Sequence, residues 1–320
     1  MSKIRCAVIG VGYLGRFHAQ KYKLLPNAEL IGVCDLNQKA LEGVSQELGV
    51  PGYSDFRELF GKVDAVSIAA TTNKHFDIAK AFLEQGIHVL IEKPITETIT
   101  QAEELIQLAR ENQVKLQVGH LERFNSARLA LDEYLDNPLF IQSERLAPFN
   151  PRGADVNVIL DIMIHDIDLI QNIVKCPIAS IQAQGTPVIT DAIDIANVHI
   201  TFTNQCVANL TASRVSFKTE RKTRIFQPNS YLSIDYQNKK FAVFKKGNGE
   251  LFPGIPDIIR DEKEFEKGDA LFEEIKSFIK CIEENSTPLV SGEDGRLALE
   301  TAETITKLIQ NNLIERHAKI

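Results

Sequence analysis

The chain has no C-x-x-C pair, and its five cysteines, Cys6, Cys34, Cys176, Cys206 and Cys281, are odd in number and scattered. That excludes a disulfide framework and a cysteine zinc site, and it points to a reduced, cytoplasmic protein. No stretch approaches the roughly 20 apolar residues that span a bilayer. The opening MSKIRCAVIGVGYLG has only a short apolar run broken by glycine, which reads as strand and turn, not as a signal peptide. There is no basic excess either. The formal net charge is -7, which argues against a nucleic-acid partner and against a membrane surface, while a local basic pocket still suits a small anionic ligand. No internal repeat or low-complexity tract interrupts the 320 residues, a length for two cores in place of one.

What is present first is an alternation. Ile4–Ile9, Glu29–Cys34, Ala65–Ala69, His88–Ile91 and Lys115–Val118 are short apolar runs. Between them Gly12–Leu25, Leu36–Leu48, Asp77–Gln85 and Thr100–Asn112 have helical character. Apolar strands alternating with helices imply βαβ crossovers and a parallel sheet. After Gly119 the pattern changes. Ile141–Ala147 reads as a strand and Asp155–Val174 as mostly helix. Strand-like runs follow at Ile178–Gln184, Ile195–Phe202, Cys206–Ser213, Tyr231–Asp235 and Phe241–Phe244. Gly247–Gly268 is polar and proline-bearing and reads as an irregular loop, and two helices, Ala270–Glu284 and Asp294–Asn312, close the chain. The expected class is α/β: an N-terminal Rossmann domain over 1–121, then an α+β domain over 122–293 on an open, largely antiparallel sheet.

Gly10-Val11-Gly12-Tyr13-Leu14-Gly15 has the G-x-G-x-x-G spacing, directly after a strand and opening a helix. Gly10 permits the tight turn, Gly12 the approach of a pyrophosphate, and Gly15 close helix–strand packing. The free N–H groups of the helix N-terminus then meet the phosphates. Asp35 ends the next strand, where an acidic residue takes the ribose hydroxyls and repels a 2′-phosphate, so NAD is expected over NADP. Lys39 is the nearby cation that would soften this preference. The bland alternative is a glycine turn that binds nothing.

Leu90-Ile91-Glu92-Lys93-Pro94 places a lysine just past a buried strand, at the sheet end where ligands sit. Partial burial there suits lysine to proton work, and a solvated loop lysine is the competing reading. In Leu160–Asp168, Asp161 and His165 are four apart and share a helix face. A hydroxyl-oxidising site needs a base near neutral pH, which histidine supplies, with a neighbouring carboxylate to orient it. Ordinary polar residues on a helix are the alternative. No second histidine or cysteine stands at ligand spacing, so no metal is expected.

Taken together these segments resemble the Gfo/Idh/MocA oxidoreductase family, almost from end to end. The resemblance rests on Gly10–Gly15 with His18, Asp35, Ala69-Ala70-Thr71-Thr72-Asn73-Lys74-His75, Glu92-Lys93-Pro94, Asp161 to His165, Asp194 and Pro288–Gly295. Thr72 departs from the proline of many members. The resemblance implies NAD(P) chemistry on sugars or polyols, and homodimers or homotetramers formed through the C-terminal sheet. It implies that Lys93 and His165 are catalytic, with Asp161 supporting them or binding substrate. It also implies that Tyr13, Leu14, Thr71, Thr72, Asn73, His75 and Glu92 join the glycines, Asp35 and Lys93 in holding the cofactor. The helix over 294–312 is expected to pack back on the Rossmann domain. Whether His165 or Lys93 is the primary base stays open.

His120, Arg123 and Asn125 follow the last strand of the first half, and Arg145 and Arg152 precede the Asp161 helix. Arginine suits phosphate or carboxylate, and a surface ion pair is the commoner role. With Asp155, Asn157 and Asp161 these residues resemble a bacterial subgroup of the family. That subgroup oxidises the 3-hydroxyl of UDP-N-acetylglucosamine, in amino-sugar synthesis for lipid A precursors. His120, Arg123, Asn125, Arg152, Asp161 and His165 are therefore the expected substrate residues. Two other readings stand beside this one: a dehydrogenase of a free polyol such as inositol, and a non-catalytic NAD-binding sensor or assembly protein.

Overall fold

The computed structural model describes residues 3–151, 156–265 and 268–317. Arg152 and Asp155 lie outside the described residues. The first elements in chain order are β1 (Ile4–Ile9), α1 (Tyr13–Leu24), β2 (Ala28–Cys34), α2 (Gln38–Leu48), β3 (Gly52–Tyr53), β4 (Ala65–Ile68), α3 (Thr72–Glu84), β5 (His88–Glu92), α4 (Ile99–Glu111) and β6 (Leu116–Gly119). Then come α5 (Ser126–Leu129), β7 (Phe140–Leu146), a π turn at Ile159–Met163, α6 (Ile164–Val174), β8 (Ile178–Thr186), β9 (Ile195–Phe202), β10 (Val207–Ser213), β11 (Glu220–Gln227) and β12 (Ser230–Asp235). The chain finishes with β13 (Lys240–Phe252), β14 (Ile255–Glu264), α7 (Ala270–Glu283) and α8 (Gly292–His317).

Two compact units divide these elements. The first is Met1–Leu121 with Asp269–Leu299. Its six strands are all parallel, in the order β3-β2-β1-β4-β5-β6. This is the doubly wound Rossmann arrangement, whose strand order reverses between β1 and β4. Val8, Val66, Val89, Ile91 and Val118 are fully buried, as near-continuous apolar strands in a sheet covered on both faces should be. Capping fixes the helix starts: Asn37 accepts from Ala40 N–H, and Thr98 with Gln101 forms a capping box.

The second unit is Glu122–Gly268 with Glu300–Ile320. Its eight strands run β14-β13-β12-β11-β7-β10-β9-β8, and only β7 and β10 pair in parallel. Burial alternates along the strands: on β7 Ile141, Ser143 and Arg145 are buried while Phe140, Gln142 and Glu144 are partly exposed. One face is thus core and the other open, the usual economy of an antiparallel sheet.

Four sequence expectations change. Gly247–Gly268 is not an irregular loop; most of it is the outer part of a hairpin in which β13 and β14 pair antiparallel, turned at Gly254 with φ +80°. Its strands are exposed on both sides, so they lack the alternation that betrays a strand. β11 escaped for a related reason: Glu220-Arg221-Lys222-Thr223-Arg224 puts charge where apolar residues were sought. The boundary expected at 293 falls earlier, because α7 belongs to the first unit: Ile275, Phe278 and Ile279 are fully buried among Tyr22, Leu25 and Leu30. Each contributes about 1.5–3 kcal/mol of apolar burial. The last helix is shared rather than returned whole. Gly292 and Gly295 lie against Leu116 and Val118 in the first unit, whereas Thr301 accepts from Gln171 and Asn312 donates to Ala183 O in the second.

α6 is anchored by buried ion pairs. Arg123 grips Asp168 with two bonds of 2.7 Å, and Arg145 reaches both oxygens of Asp166 and also Glu122 at 2.9 Å. Removing one partner of a buried pair leaves an uncompensated charge. Arg123→Ala is therefore expected to cost about 3–5 kcal/mol in urea unfolding. Lys240→Ala, at an exposed pair with Glu264, should leave the unfolding midpoint in place. Equal effects would overturn the anchoring role.

Candidate functional site

In the first unit the functional residues gather at the carboxyl ends of β1, β2, β4 and β5. β1 ends at Gly10, whose φ of +82° is left-handed and whose missing Cβ would stand 2.7 Å from Ala70 N. A Cβ on Gly15 would lie 1.7 Å from the Gly10 carbonyl oxygen, so α1 can follow β1 this closely only with glycine there. At Gly12 a Cβ would meet nothing within 4 Å. The fold does not require that glycine, and the space beside it is open to an incoming group. Gly12 caps α1 without a side-chain bond, and the first turn holds no acidic residue. These N–H groups suit a pyrophosphate. Tyr13 and Leu14 sit exposed on the same first turn.

Asp35 stands beside this turn. Its carboxylate accepts from Val11 N–H at 2.7 Å and Asn37 N–H at 2.7 Å, which fixes it at the end of β2. The glycine turn, the uncapped helix and the fixed carboxylate fit a dinucleotide with a free 2′-hydroxyl. At the head of α3, Thr71 and Asn73 are exposed and Thr71 Oγ1 donates to Asn73 Oδ1 at 2.7 Å, while Thr72 is half-buried.

His75 takes a different part from the one expected. It is buried, with Nδ1 2.9 Å from Pro94 O and Nε2 3.1 Å from Ala70 O. Burial lowers its pKa, against the pull of the two carbonyls, which favour the protonated ring. It ties the β4 loop to the Glu92-Lys93-Pro94 loop. Glu92 likewise faces inward. Oε1 lies 3.0 Å from His18 Nε2, and Oε2 accepts from Lys93 N–H at 3.3 Å. The register pairs Glu92 with Gly119, where a Cβ would stand 3.0 Å from Oε2. Lys93 is half-buried just past the strand, and His120 is buried after β6.

In the second unit, Asp161 lies within the π turn and His165 on the first turn of α6, both half-buried. Asn157 Oδ1 accepts the N–H groups of Ile159 and Leu160 and so starts this segment. Nearby, the structure places Arg123, Arg145 and Asn125 in buried contacts within the unit. Arg123 is buried with Asp168. Arg145 is buried between Asp166 and Glu122; burial pulls its pKa down, but the two carboxylates outweigh that and it stays charged. Asn125 caps α5 by accepting from Ala127 N–H and donates to Tyr236 O. These groups satisfy one another and shape the unit. Asp194, part of the resemblance, is buried and works the same way. Burial opposes its charge, but N–H donors from Val188, Ile189 and Thr190 and the Arg214 guanidinium hold it well below the usual carboxylate range.

Sequence reading missed Glu274. It lies on α7 in phase with Leu271, Ile275 and Phe278, is fully buried, and comes with His18 and Glu92 into a group whose potential ligand atoms all lie within 4.8 Å of one another. An acid inside an apolar helical stripe was the signal available. All five cysteines are free, and among the described residues no helix is long and apolar enough to cross a membrane.

Comparison with known proteins agrees with this geometry. Residues 4–120 match the oxidoreductase family with an NAD-binding Rossmann fold, and residues 126–228 match the GFO/IDH/MocA C-terminal domain. The chain belongs to the Gfo/Idh/MocA oxidoreductases, and its cofactor is NAD. It is 38% identical over 303 residues to the UDP-N-acetylglucosamine 3-dehydrogenase of Acidithiobacillus ferrooxidans, covering 94% of this chain and 96% of that protein. A solved structure of that enzyme superposes with a TM-score of 0.90 at 35% identity, over 97% of this chain and 99% of that one. The myo-inositol 2-dehydrogenase of Thermotoga maritima is more distant, at 26% identity over 92% of this chain and 93% of its own.

Two substitutions separate the fold's needs from the cofactor's. Gly12→Ala should leave the melting temperature unchanged and weaken NAD binding, because the added methyl meets only the incoming pyrophosphate. Gly15→Ala should lower both. In the wild type NAD should bind at least tenfold more tightly than NADP, about 1.4 kcal/mol. Calorimetric titration checks all three; equal affinity for the two cofactors would remove Asp35 from the selection.

Proposed function

We propose that this chain oxidises the 3-hydroxyl of UDP-N-acetylglucosamine, giving a 3-keto sugar for an aminotransferase in lipid A precursor synthesis. The observation that carries the reading is the similarity to the Acidithiobacillus enzyme over nearly the full length of both chains. An inositol as substrate is the second reading, supported by the weaker similarity to inositol dehydrogenases.

When bound at the glycine turn, NAD would supply the hydride acceptor for oxidation of the carbinol carbon. The protein's own part is to handle the hydroxyl proton and the charge left behind. In this reading His165 accepts the proton, Asp161 orients the ring or a substrate hydroxyl, and Lys93 stabilises the developing alkoxide with its ammonium group. Thr71, Thr72 and Asn73, at the head of α3, and Tyr13 and Leu14 of α1 hold the cofactor with the glycine turn. Arg152 and His120 remain proposed substrate residues. Five free thiols support a cytoplasmic location.

The open face of the second unit's sheet supports a homo-oligomer. Phe140, Phe226, Tyr231 and Phe244 form a ladder across four strands, with ring centroids 5.6, 4.9 and 5.5 Å apart, and Arg260 covers the outer ring. Such a row on a half-exposed face suits a self-complementary partner surface. Phe226→Lys with Tyr231→Lys should shift sedimentation to the monomer, whereas an unchanged sedimentation coefficient would count against this face.

Activity is tested by following NADH formation with a panel of UDP-sugars and polyols. UDP-N-acetylglucosamine should be the best substrate; an inositol turned over faster would favour the second reading. His165→Ala should keep NAD affinity while turnover falls about 10²–10⁴-fold. In the oxidation direction the base must start unprotonated, so wild-type kcat should rise with pH near neutrality, and the variant should lose that limb. An active His165→Ala enzyme with an unchanged profile would leave Lys93 as the base.

A further inference from the structure

His18, Glu92 and Glu274 come from three separate elements of the first unit, α1, β5 and α7, and meet in a place closed to solvent. His18 is 1% exposed, Glu274 0%, and the Glu92 side chain 13%. Their nearest polar atoms all lie within 4.8 Å of one another. The three are unequally served. Glu92 has the His18 ring at 3.0 Å and the Lys93 N–H at 3.3 Å. Neither oxygen of Glu274 has a hydrogen-bond partner among the described residues, and His18 Nδ1 has none. Gln117 from β6 donates to the Glu274 main-chain carbonyl at 3.3 Å, so the amide fixes the backbone and leaves the carboxyl alone.

Two carboxyl groups this close and this dry do not both ionise. A buried charge without a donor is among the most costly things a fold can hold, and the group takes up a proton instead. Which of the two does so follows from the partners. We propose that Glu274 is a positioning residue that carries a proton beside Glu92, so that the end of β5 holds a single negative charge, on Glu92, directed at the His18 ring and the Lys93 amide.

The electrostatics agree. Burial and the Glu92 charge push Glu274 well above the ordinary carboxylate range. Burial also pushes Glu92 up, but the His18 bond and the charges of His18 and Lys93 outweigh it and hold Glu92 below that range. The other titratable groups facing the cluster are Tyr22 from α1, bonded to Ser67 and itself pushed up by burial, Cys6 from β1 beside Tyr22, and His75 from α3, which burial pulls down and whose ring nitrogens face the Pro94 and Ala70 carbonyls. None of them offers Glu274 a cation. The consequence reaches Lys93, whose proposed role this inference rests on: a charge fixed on Glu92 sets the field and the backbone position of the residue next to it.

The test uses the full-length protein and Glu274→Gln, which keeps the shape and a neutral polar head. Infrared spectra of the wild type at neutral pH should show the carbonyl stretch of a protonated carboxylic acid, absent from the variant. The unfolded carboxyl titrates at about 4.3, so above that pH folding must take a proton up. The wild type's folding constant should therefore fall about tenfold per pH unit relative to Glu274→Gln, and the two should converge as the pH drops to about 4.3. Parallel stability profiles, or no acid carbonyl stretch, would overturn the proposal. So would one equivalent of a divalent metal in the purified wild type that the variant lacks, since a cation would then neutralise the pair. If Glu274 also positions, wild-type kcat should fall at alkaline pH where this proton is lost, and Glu274→Gln should not share the fall. The same fall in both would confine Glu274 to structure. The spectroscopic and stability readings need no turnover, so they stand or fall apart from the substrate assignment. Should Glu274→Gln fail to fold, Glu274→Asp should keep an acid carbonyl stretch at a shifted frequency, and an unshifted stretch would overturn the assignment to this position.

Discussion

The Gly10 carbonyl oxygen stands where any side chain at position 15 would begin. That contact governs the nucleotide end of the first unit. It brings α1 back against β1 and β4, and Gly12, which has no side chain, leaves the helix N-terminus without a side-chain cap; this unfinished helix end suits phosphate. It also sets what the rest of α1 can reach. His18 lies three residues on from Gly15, on the same face, and Tyr22 four further. Both are buried, one against Glu92 and the other against Ser67. The glycine turn and the polar cluster at the end of β5 are thus two consequences of one helix placement.

The two units solve the problem of buried charge in different ways. The second sets guanidinium groups against carboxyl groups: Arg123 with Asp168, Arg145 with Asp166 and Glu122, Arg214 with Asp194. Planar guanidinium groups satisfy several carboxylate oxygens at once, so the desolvation cost of each ion is offset by directed bonds. The first unit has no arginine in its buried cluster. It keeps a buried histidine at His75, its pKa lowered by burial, and two close carboxyl groups in the cluster of His18, Glu92 and Glu274. The difference suits what each unit holds. Ion pairs give α6 a rigid seat; in the first unit one proton held on Glu274 would limit the cluster to a single carboxylate charge.

Much of this was legible in the residues. Parallel strands buried on both faces announce themselves as short apolar runs, and the G-x-G-x-x-G turn with Asp35 at the next strand end has no other common use. The failures share a cause. A strand is recognised by alternation, and β11 and the β13–β14 hairpin have little, because their exposed positions are charged or lie open on both sides. The arginines near the substrate segment were read for what arginine can bind, but their partners Asp166 and Asp168 are more than 20 and about 45 positions away, and spacing alone does not reveal such pairs. His75 was read with the loop it sits in, although its ring points behind that loop.

The Asp161–His165 spacing was read as one face of an α-helix, and the structure gives that reading a different footing. Asp161 sits in a π turn, where the backbone is wider than 3.6 residues per turn. An irregular turn survives only where its surroundings hold it, and here they do. Asn157 accepts two N–H groups, the Asn157 carbonyl accepts from Asp161 N–H at 3.1 Å, and Val158 N–H donates to Ile193 O at 2.9 Å. Beyond His165, Asp166 and Asp168 are gripped by arginines. The segment is therefore fixed on both sides of the one histidine it carries, and the regular helix begins only there. Such turns gather at functional sites because they re-aim side chains without loosening the backbone. A fixed, half-buried histidine at the start of α6, next to an acid in a wide turn, is what a proton acceptor needs more than the shared helical face first inferred.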